Sequence, residues 1–311
     1  MAAVVVSRLR AGITELVLVA ALYLAYTGSR MLADDNVFAA LGRARKLLHV
    51  EDGLGLAWEH TTNLWLAAHD RLGVIASFWY SSGHYVVTAA VLVWLFRRGR
   101  DVYVPARRAL AVSTLLGLVF YLLMPTAPPR MIAGYVDVLD LHADVGWWGA
   151  DASAPKGLGG LTNELAAFPS LHAGWSLWVA LAVSRATRGS GARGHIARTL
   201  AWSYAAITAV VVVGTANHWT LDVLVGWVVA LAGWALATTL PVVTRVTREP
   251  VPDTSASLAP DASRGAVRND QDGPRVSDRP EGPGRPRVPL VQGVAAVSSG
   301  RPGSSPRAAR P

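Results

Sequence analysis

The sequence predicts an all-α fold, a polytopic membrane bundle of about six transmembrane helices with a disordered C-terminal tail. Only 16% of the 311 residues are charged, against about 25% in an average soluble domain, and 52% are hydrophobic. Six apolar stretches have roughly the length that crosses a bilayer. All 12 tryptophans precede residue 247, whereas 11 of the 18 prolines follow it.

The apolar stretches divide the body of the chain into spans and connections. Arg8 and Arg10 before the first stretch also fit a signal peptide, but that stretch is long and the later spans need it for a consistent orientation. Residues 34–71 carry apolar side chains at helical spacing among polar ones, which indicates helices at the membrane interface. Residues 130–167 are too polar to span and are expected to form a loop. The predicted spans are residues 12–31, 74–96, 109–125, 170–183, 200–215 and 221–243.

Composition divides the chain into an apolar domain and a polar C-terminal tail. We expect residues 1–246 to form the membrane-embedded domain. Residues 247–311 lack aromatic side chains and are rich in Pro, Gly, Ser and Arg, so they cannot bury enough apolar surface to offset their chain entropy. The tail is therefore expected to be disordered and dispensable for chemistry. Cysteine is absent, which excludes disulfides and thiolate catalysis.

The placement of arginine predicts the orientation. Arginine clusters follow the second, fourth and sixth spans, and positive residues favour the cytoplasmic side. Both termini are therefore expected in the cytoplasm of a multi-pass plasma membrane protein, with the 130–167 loop outside. Because topology explains these arginines, the formal net charge of +8 does not indicate nucleic acid binding. The clusters are Arg97, Arg98, Arg100, Arg107 and Arg108; Arg185, Arg188, Arg193 and Arg198; and Arg245 and Arg248.

Ionisable residues gather where spans end on the predicted outer side. Residues 214–222 read Gly-Thr-Ala-Asn-His-Trp-Thr-Leu-Asp. His218 and Asp222 are four apart, so at a helix start they share one face. The carboxylate can accept a hydrogen bond from one imidazole nitrogen and leave the other as nucleophile or base. A purely structural pair at the interface has the same spacing.

Two further motifs supply the other parts of a phosphoryl-transfer site. Residues 168–174, Phe-Pro-Ser-Leu-His-Ala-Gly, open the fourth span; Ser170 and free backbone N–H groups there can bind phosphate, and His172 can protonate a leaving oxygen. Residues 124–130, Met-Pro-Thr-Ala-Pro-Pro-Arg, end in Arg130, whose guanidinium matches phosphate oxygens. Together the motifs predict transfer through a covalent phosphohistidine that requires no metal ion or other cofactor.

These motifs resemble those of the type-2 phosphatidic acid phosphatase superfamily, and within it the branch that contains fungal inositol phosphorylceramide synthase. The resemblance covers roughly residues 54–243. It implies that His218 is the nucleophile, that Asp222 orients it, and that His172 is the general acid and then the base. It also implies that Arg130 and Ser170 hold the phosphate. The implied donor is a membrane lipid phosphate or phosphodiester, and the implied acceptor is water or a polyol.

The chain departs from the superfamily pattern at three positions. Leu171 stands where the second motif usually has glycine, and Val212 and Leu123 stand where the broad superfamily has an arginine and a lysine. The inositol phosphorylceramide synthase branch tends to lack both cations, so the departures favour that branch. Asn217 and His84 are candidates to help bind the phosphate instead.

Alternatives stay open at the level of sequence. The chain also fits a non-catalytic lipid transporter or scaffold that keeps its histidines for structure, or a hydrolase with a metal ion held by His172, His218 and Asp222. The outer loop has the composition of a metal site, although a solvated loop fits its irregular spacing. The polar residues before the second span could line a pocket for the acceptor or form contacts between helices. A Tyr–His pair with four-residue spacing on the second span is expected to be a packing pair. These groups are Asp137, Asp140, His142 and Asp144; Glu51, Glu59, His60 and Asn63; and Tyr80 and His84.

The orientation is testable with a reporter fused after Arg248. Because arginine clusters mark the cytoplasmic side, we expect the reporter to be active in the cytoplasm. A reporter that is active only outside the cytoplasm would invert the topology.

Overall fold

The computed structural model describes residues 36–148 and 164–239, together with scattered helical positions between residues 12 and 28. Across these residues the regular structure is helical, and the extended contact found there is an isolated bridge between Thr126 and Ala166. The predicted tail from residue 247 lies outside the described residues, so its boundary and disorder stay predictions.

The helices follow one another with short connections. A π-helical turn, Trp79–Gly83, joins α3 directly to α4, and a 3-10 turn, Pro129–Met131, follows α5. The helices are α1 (Val37–Leu54), α2 (Glu59–Ala67), α3 (Asp70–Phe78), α4 (His84–Arg98), α5 (Arg100–Leu123), α6 (Val138–Leu141), α7 (Leu171–Ala186), α8 (Gly191–Gly214) and α9 (Thr220–Thr239).

Within the described part of the chain, three helices are long and apolar enough to cross a membrane: α5, α8 and α9. Six spans therefore stay a prediction. The predicted span 74–96 falls on α3, the π-turn and α4, and most of the predicted span 12–31 lies outside the described residues. The predicted span 170–183 corresponds to α7, whose 16 residues are about 24 Å long, shorter than a hydrocarbon core of about 30 Å.

The segment predicted to lie at the interface is helical and carries polar side chains on its buried face. α1 ends at Gly55, whose φ of 68° is the left-handed conformation that glycine adopts without strain. Glu51 on α1, and Glu59 and Asn63 on α2, are fully buried. This region therefore contributes hydrogen-bonding groups to the interior.

Asn63 fastens the predicted outer loop to the bundle. Its Oδ1 accepts from the Val136 N–H at 2.8 Å. Its Nδ2 donates to the carbonyls of Val136 and Gly214, each at 2.9 Å. One amide thus joins α2, the 130–137 segment and the end of α8.

The starts of α7 and α9 lie in backbone contact. The Ser170 N–H donates to the Asp222 carbonyl at 2.8 Å. A β-carbon at Gly226 would lie 2.2 Å from the Ser170 carbonyl oxygen, a separation that atoms do not tolerate. Only glycine at position 226 therefore permits this approach, which brings the second and third motifs together.

Gly226→Ala is expected to destabilise the protein by about 1–3 kcal/mol and to lower its melting temperature in detergent, because the clash is with backbone rather than with a flexible side chain. Gly42→Ala on α1 is the control, since its β-carbon meets nothing within 4 Å. Equal melting temperatures for Gly226→Ala and the wild type would contradict the close approach.

Candidate phosphoryl-transfer site

Backbone hydrogen bonds bring the three sequence motifs to one place. The Thr126 N–H donates to the Leu165 carbonyl at 2.7 Å, and the Ala167 N–H donates to the Thr126 carbonyl at 3.2 Å. The Arg130 N–H donates to the Ala216 carbonyl at 2.9 Å. Residues up to 86 positions apart are therefore held together by the main chain.

The turn between α8 and α9 shapes the third motif. The Val212 carbonyl accepts from the N–H groups of Asn217 and His218, at 3.2 and 3.1 Å. Ala216 has a φ of 58°, which is uncommon for a residue with a side chain. The turn directs His218 into the protein, where its side chain is 3% exposed.

One ring nitrogen of His218 is bound and the other faces a second histidine. Nδ1 lies 2.8 Å from the Ala167 carbonyl oxygen, and because a carbonyl only accepts, Nδ1 carries the proton. Nε2 is then unprotonated and lies 3.4 Å from Nδ1 of His172. This tautomer leaves a lone pair on Nε2, as a nucleophile requires.

Asp222 lies close to His218 but is not its nearest partner. Asp222 Oδ2 is 3.4 Å from His218 Nδ1 and accepts from the Trp219 N–H at 2.8 Å. The sequence interpretation gave the orienting role to this carboxylate alone. It did not predict the bond to the Ala167 carbonyl, because every residue has a carbonyl group and the sequence does not show which one accepts.

The surroundings of His218 keep its ring neutral. Burial lowers its pKa from 6.5 to about 4; the bond to the Ala167 carbonyl raises the pKa, and the charge of Arg130 lowers it. At neutral pH the ring is therefore uncharged and its Nε2 lone pair is available.

His172 lies in the first turn of α7 against two rings from the π-turn region. The Tyr80 ring stacks on it with centroids 4.3 Å apart and an interplanar angle of 20°. His84 meets it edge-on with centroids 4.1 Å apart. The sequence interpretation treated Tyr80 and His84 as a packing pair, named His84 also as a candidate to help bind the phosphate, and did not place Tyr80 at the site. Their four-residue spacing was visible, but their contact with α7 was not.

Two of the predicted phosphate ligands, Arg130 and Asn217, are bonded to each other. Arg130 Nη1 donates to Asn217 Oδ1 at 2.5 Å, and Arg130 Nε lies 3.3 Å from Asp137 Oδ2. The Asn217 Nδ2 donates to the carbonyl and the hydroxyl of Thr215, both at 3.1 Å. The guanidinium of Arg130 is thus held beside His218 by Asp137 on one side and by Asn217, in the turn between α8 and α9, on the other.

Ser170 is fully buried and acts as the N-cap of α7. Its Oγ accepts from the Ala173 N–H at 3.2 Å. In this arrangement Ser170 fixes the first turn that carries His172. Its role as a phosphate ligand stays a prediction.

The departures from the superfamily pattern are accommodated in the fold. Val212 is buried, whereas Leu123 is exposed. Leu171 occupies space left by Gly117 on α5, because a β-carbon at Gly117 would lie 2.5 Å from Leu171 Cδ2. Leucine in the glycine position is therefore matched by glycine on the facing helix.

The polar groups with alternative interpretations form local contacts. Asp137 accepts from the Leu139 N–H at the start of α6, and His142 Nε2 lies 3.1 Å from Asp70 Oδ1. His60 Nε2 lies 3.1 Å from the Gly134 carbonyl oxygen. Among residues 36–148 and 164–239, no three His, Asp or Glu side chains come together as a metal-binding group.

Two buried acids reach the site from α1 and α2. Glu59 and Glu51 accept from the first backbone N–H groups of α9, next to His218. Sequence reasoning noted both residues as polar but had no signal for a contact across more than 160 positions.

Comparison with known proteins identifies a family. A protein-family model described as the PAP2 superfamily matches residues 45–236, a range that includes each of the predicted site residues. Searches of curated proteins and of solved structures found no match.

The pKa of His218 predicts a pH dependence of stability. Its folded-state value of about 4 lies below 6.5, so the unfolded chain binds more protons between these values and stability falls as the pH is lowered through this window. From pH 7 to pH 5 this group accounts for a loss of about 2 kcal/mol. His218→Asn cannot titrate, so its melting temperature should fall less than that of the wild type over the same range.

The control is His195→Asn, which replaces an exposed histidine on α8. This variant should show the wild-type decrease. Equal decreases in the wild type and in His218→Asn would mean that burial does not keep His218 neutral.

Proposed function

Because the chain belongs to the PAP2 superfamily, we propose that it is an integral membrane phosphotransferase or phosphatase that acts on a lipid phosphate through a phosphohistidine at His218. Family membership supports lipid phosphate chemistry. The choice of His218 as nucleophile rests on this chain's own geometry.

The arrangement of the two histidines carries the proposal. His218 is fixed by the Ala167 carbonyl in the tautomer that leaves Nε2 unprotonated, and Nε2 points at His172. A nucleophile that is held in one tautomer and faces an acid–base group is the pairing that covalent catalysis requires. A non-catalytic transporter or scaffold has no need of such a pairing.

In the first step the lone pair of His218 Nε2 attacks phosphorus, and the bond from phosphorus to the leaving oxygen breaks. His172, with protons on both ring nitrogens, gives the Nδ1 proton to that oxygen and becomes neutral. The negative charge of the bound phosphate stabilises the protonated form of His172 beforehand. Because the two nitrogens are only 3.4 Å apart, the phosphoryl group enters by opening their contact.

In the second step an acceptor hydroxyl attacks the phosphohistidine. Neutral His172 takes the proton of that hydroxyl at Nδ1, the bond from phosphorus to Nε2 breaks, and both rings return to their starting states. Water as acceptor makes the protein a phosphatase. A polyol such as inositol makes it a phosphotransferase, and the resemblance of the motifs to the inositol phosphorylceramide synthase branch favours transfer.

Arg130 is the proposed anchor for the phosphate, assisted by Asn217 and by the start of α7 with Ser170. A guanidinium has five N–H donors, so its contacts with Asn217 and Asp137 leave others for phosphate oxygens. No arginine or lysine stands at positions 212 and 123. The chain therefore depends on Arg130 more than a superfamily member that keeps these cations.

We propose that the reaction takes place at the outer leaflet of the plasma membrane, with both termini in the cytoplasm. The apolar character of α5, α8 and α9 supports a membrane location. The arginine clusters after the second, fourth and sixth predicted spans support the orientation.

The covalent intermediate is the sharpest test. With phosphate-labelled phosphatidic acid as donor, acid-labile and base-stable label should accumulate on His172→Ala, because hydrolysis of the intermediate loses its base. The label should be absent from His218→Ala. Turnover should fall by about 100-fold or more in both variants, while His195→Ala retains it.

Full turnover in either site variant would reject these roles. Product analysis with phosphatidic acid and phosphatidylinositol as donors, each with and without added inositol, then separates hydrolysis from transfer. With phosphatidic acid, an inositol monophosphate that appears only when inositol is added supports transfer, and free phosphate alone supports hydrolysis. With phosphatidylinositol, a phosphodiester that joins two inositols supports transfer, and inositol phosphate alone supports hydrolysis.

A further inference from the structure

Two buried carboxyl groups that the proposed reaction does not use lie directly behind the nucleophile. Glu51 and Glu59 are fully buried, although acidic side chains are almost never buried without partners. They belong to α1 and α2, far along the chain from the residues that contact the phosphate.

Both acids bind the beginning of α9. The Thr220 N–H donates to Glu59 Oε1 at 2.9 Å, and the Leu221 N–H donates to Glu51 Oε1 at 2.6 Å. The preceding N–H, that of Trp219, donates to Asp222 Oδ2 at 2.8 Å. Three successive N–H groups are therefore taken by three carboxyl groups, two of which come from other helices.

The arrangement differs from an ordinary helix cap, in which one local side chain accepts from one or two of the free N–H groups. Here α1 and α2 fix the first turn of α9 from outside. Because these N–H groups are occupied, the start of α9 does not bind phosphate, and the phosphate depends on Arg130 and α7.

Glu51 holds a proton at neutral pH. Burial raises the pKa of Glu51 to about 9; the Leu221 N–H lowers it, and the Glu59 and Asp222 carboxyl groups raise it further. The remaining oxygens, Glu51 Oε2 and Glu59 Oε2, are buried without a donor from other protein groups. A hydrogen bond from the protonated Glu51 Oε2 to Glu59 Oε2 would satisfy both oxygens.

We propose that Glu51 and Glu59 are positioning residues for phosphoryl transfer: they hold the start of α9 so that His218 and Asp222 stay in register with His172. The inference rests on the proposed function, because it assigns the pair a role in that reaction. His218 immediately precedes the three clamped N–H groups, so a shift of this turn moves Nε2 away from phosphorus.

The test compares three substitutions at position 59. Glu59→Gln keeps an acceptor for the Thr220 N–H and can still hydrogen-bond to the side chain of Glu51. Its kcat should stay close to the wild-type value. Glu59→Leu removes the acceptor, and a displacement of the turn by about 1 Å should lower kcat by about 100-fold while KM for the lipid donor is unchanged.

Glu59→Asp serves where Glu59→Leu fails to fold, because it keeps the charge but withdraws the acceptor by one methylene. Its kcat should lie between those of the other two variants. Asp52→Asn is the matched control, since Asp52 is the exposed neighbour of Glu51, and it should behave as wild type. Rates are expressed per folded molecule, from the monodisperse fraction in detergent.

Three outcomes decide the matter. A fall in kcat that Gln rescues, at constant KM, supports positioning. A specific activity per folded molecule that is equal in wild type, Glu59→Leu and Glu59→Asp overturns it and leaves the acids a purely structural role. A wild type that gives neither turnover nor phosphohistidine rejects the proposed function, and this inference with it.

Discussion

The hydrogen bond from the Ser170 N–H to the Asp222 carbonyl is the contact on which the rest of the site depends. It joins the starts of α7 and α9, the two helices that carry His172 and Asp222, and it precludes a side chain at position 226. This main-chain contact therefore helps to set the distance between the His172 and His218 rings, together with the carboxyl groups that bind the start of α9.

Electrostatics at the site follow from burial and from a few fixed dipoles. The Ala167 carbonyl selects the tautomer of His218, and Arg130 brings a positive charge that also disfavours protonation of the ring. Of the acidic groups, Asp222, Glu51 and Glu59 bind the first N–H groups of α9, whereas Asp137 pairs with Arg130. In the proposed reaction an incoming phosphate thus meets the guanidinium of Arg130, whereas Glu51 and Glu59 contact α9.

Sequence alone predicted the helical class and the three motifs, because apolar length and residue identity carry that information. The proximity of Arg130, His172 and His218 was also expected, since all three lie at ends of spans on one predicted side. The partner of His218 Nδ1 was not predicted, because any residue has a carbonyl. The clamp by Glu51 and Glu59 was not predicted either, since one sequence contains no signal that links position 59 to position 220. The number of membrane spans also stays a prediction, because apolar composition does not fix the length of a helix: α7 is apolar but has only 16 residues.

The π-helical turn at Trp79–Gly83 has a consequence for how this site varies between related chains. Such a turn accommodates one extra residue, and a regular helix advances about 100° per residue. Without that residue, everything from His84 onward would be rotated by about a quarter of a turn relative to α3. The ring that meets the edge of His172 would then be a different one. The immediate environment of the proposed acid is therefore governed by an insertion in a helix that contains none of the three motifs, and two chains with identical motifs can differ in it.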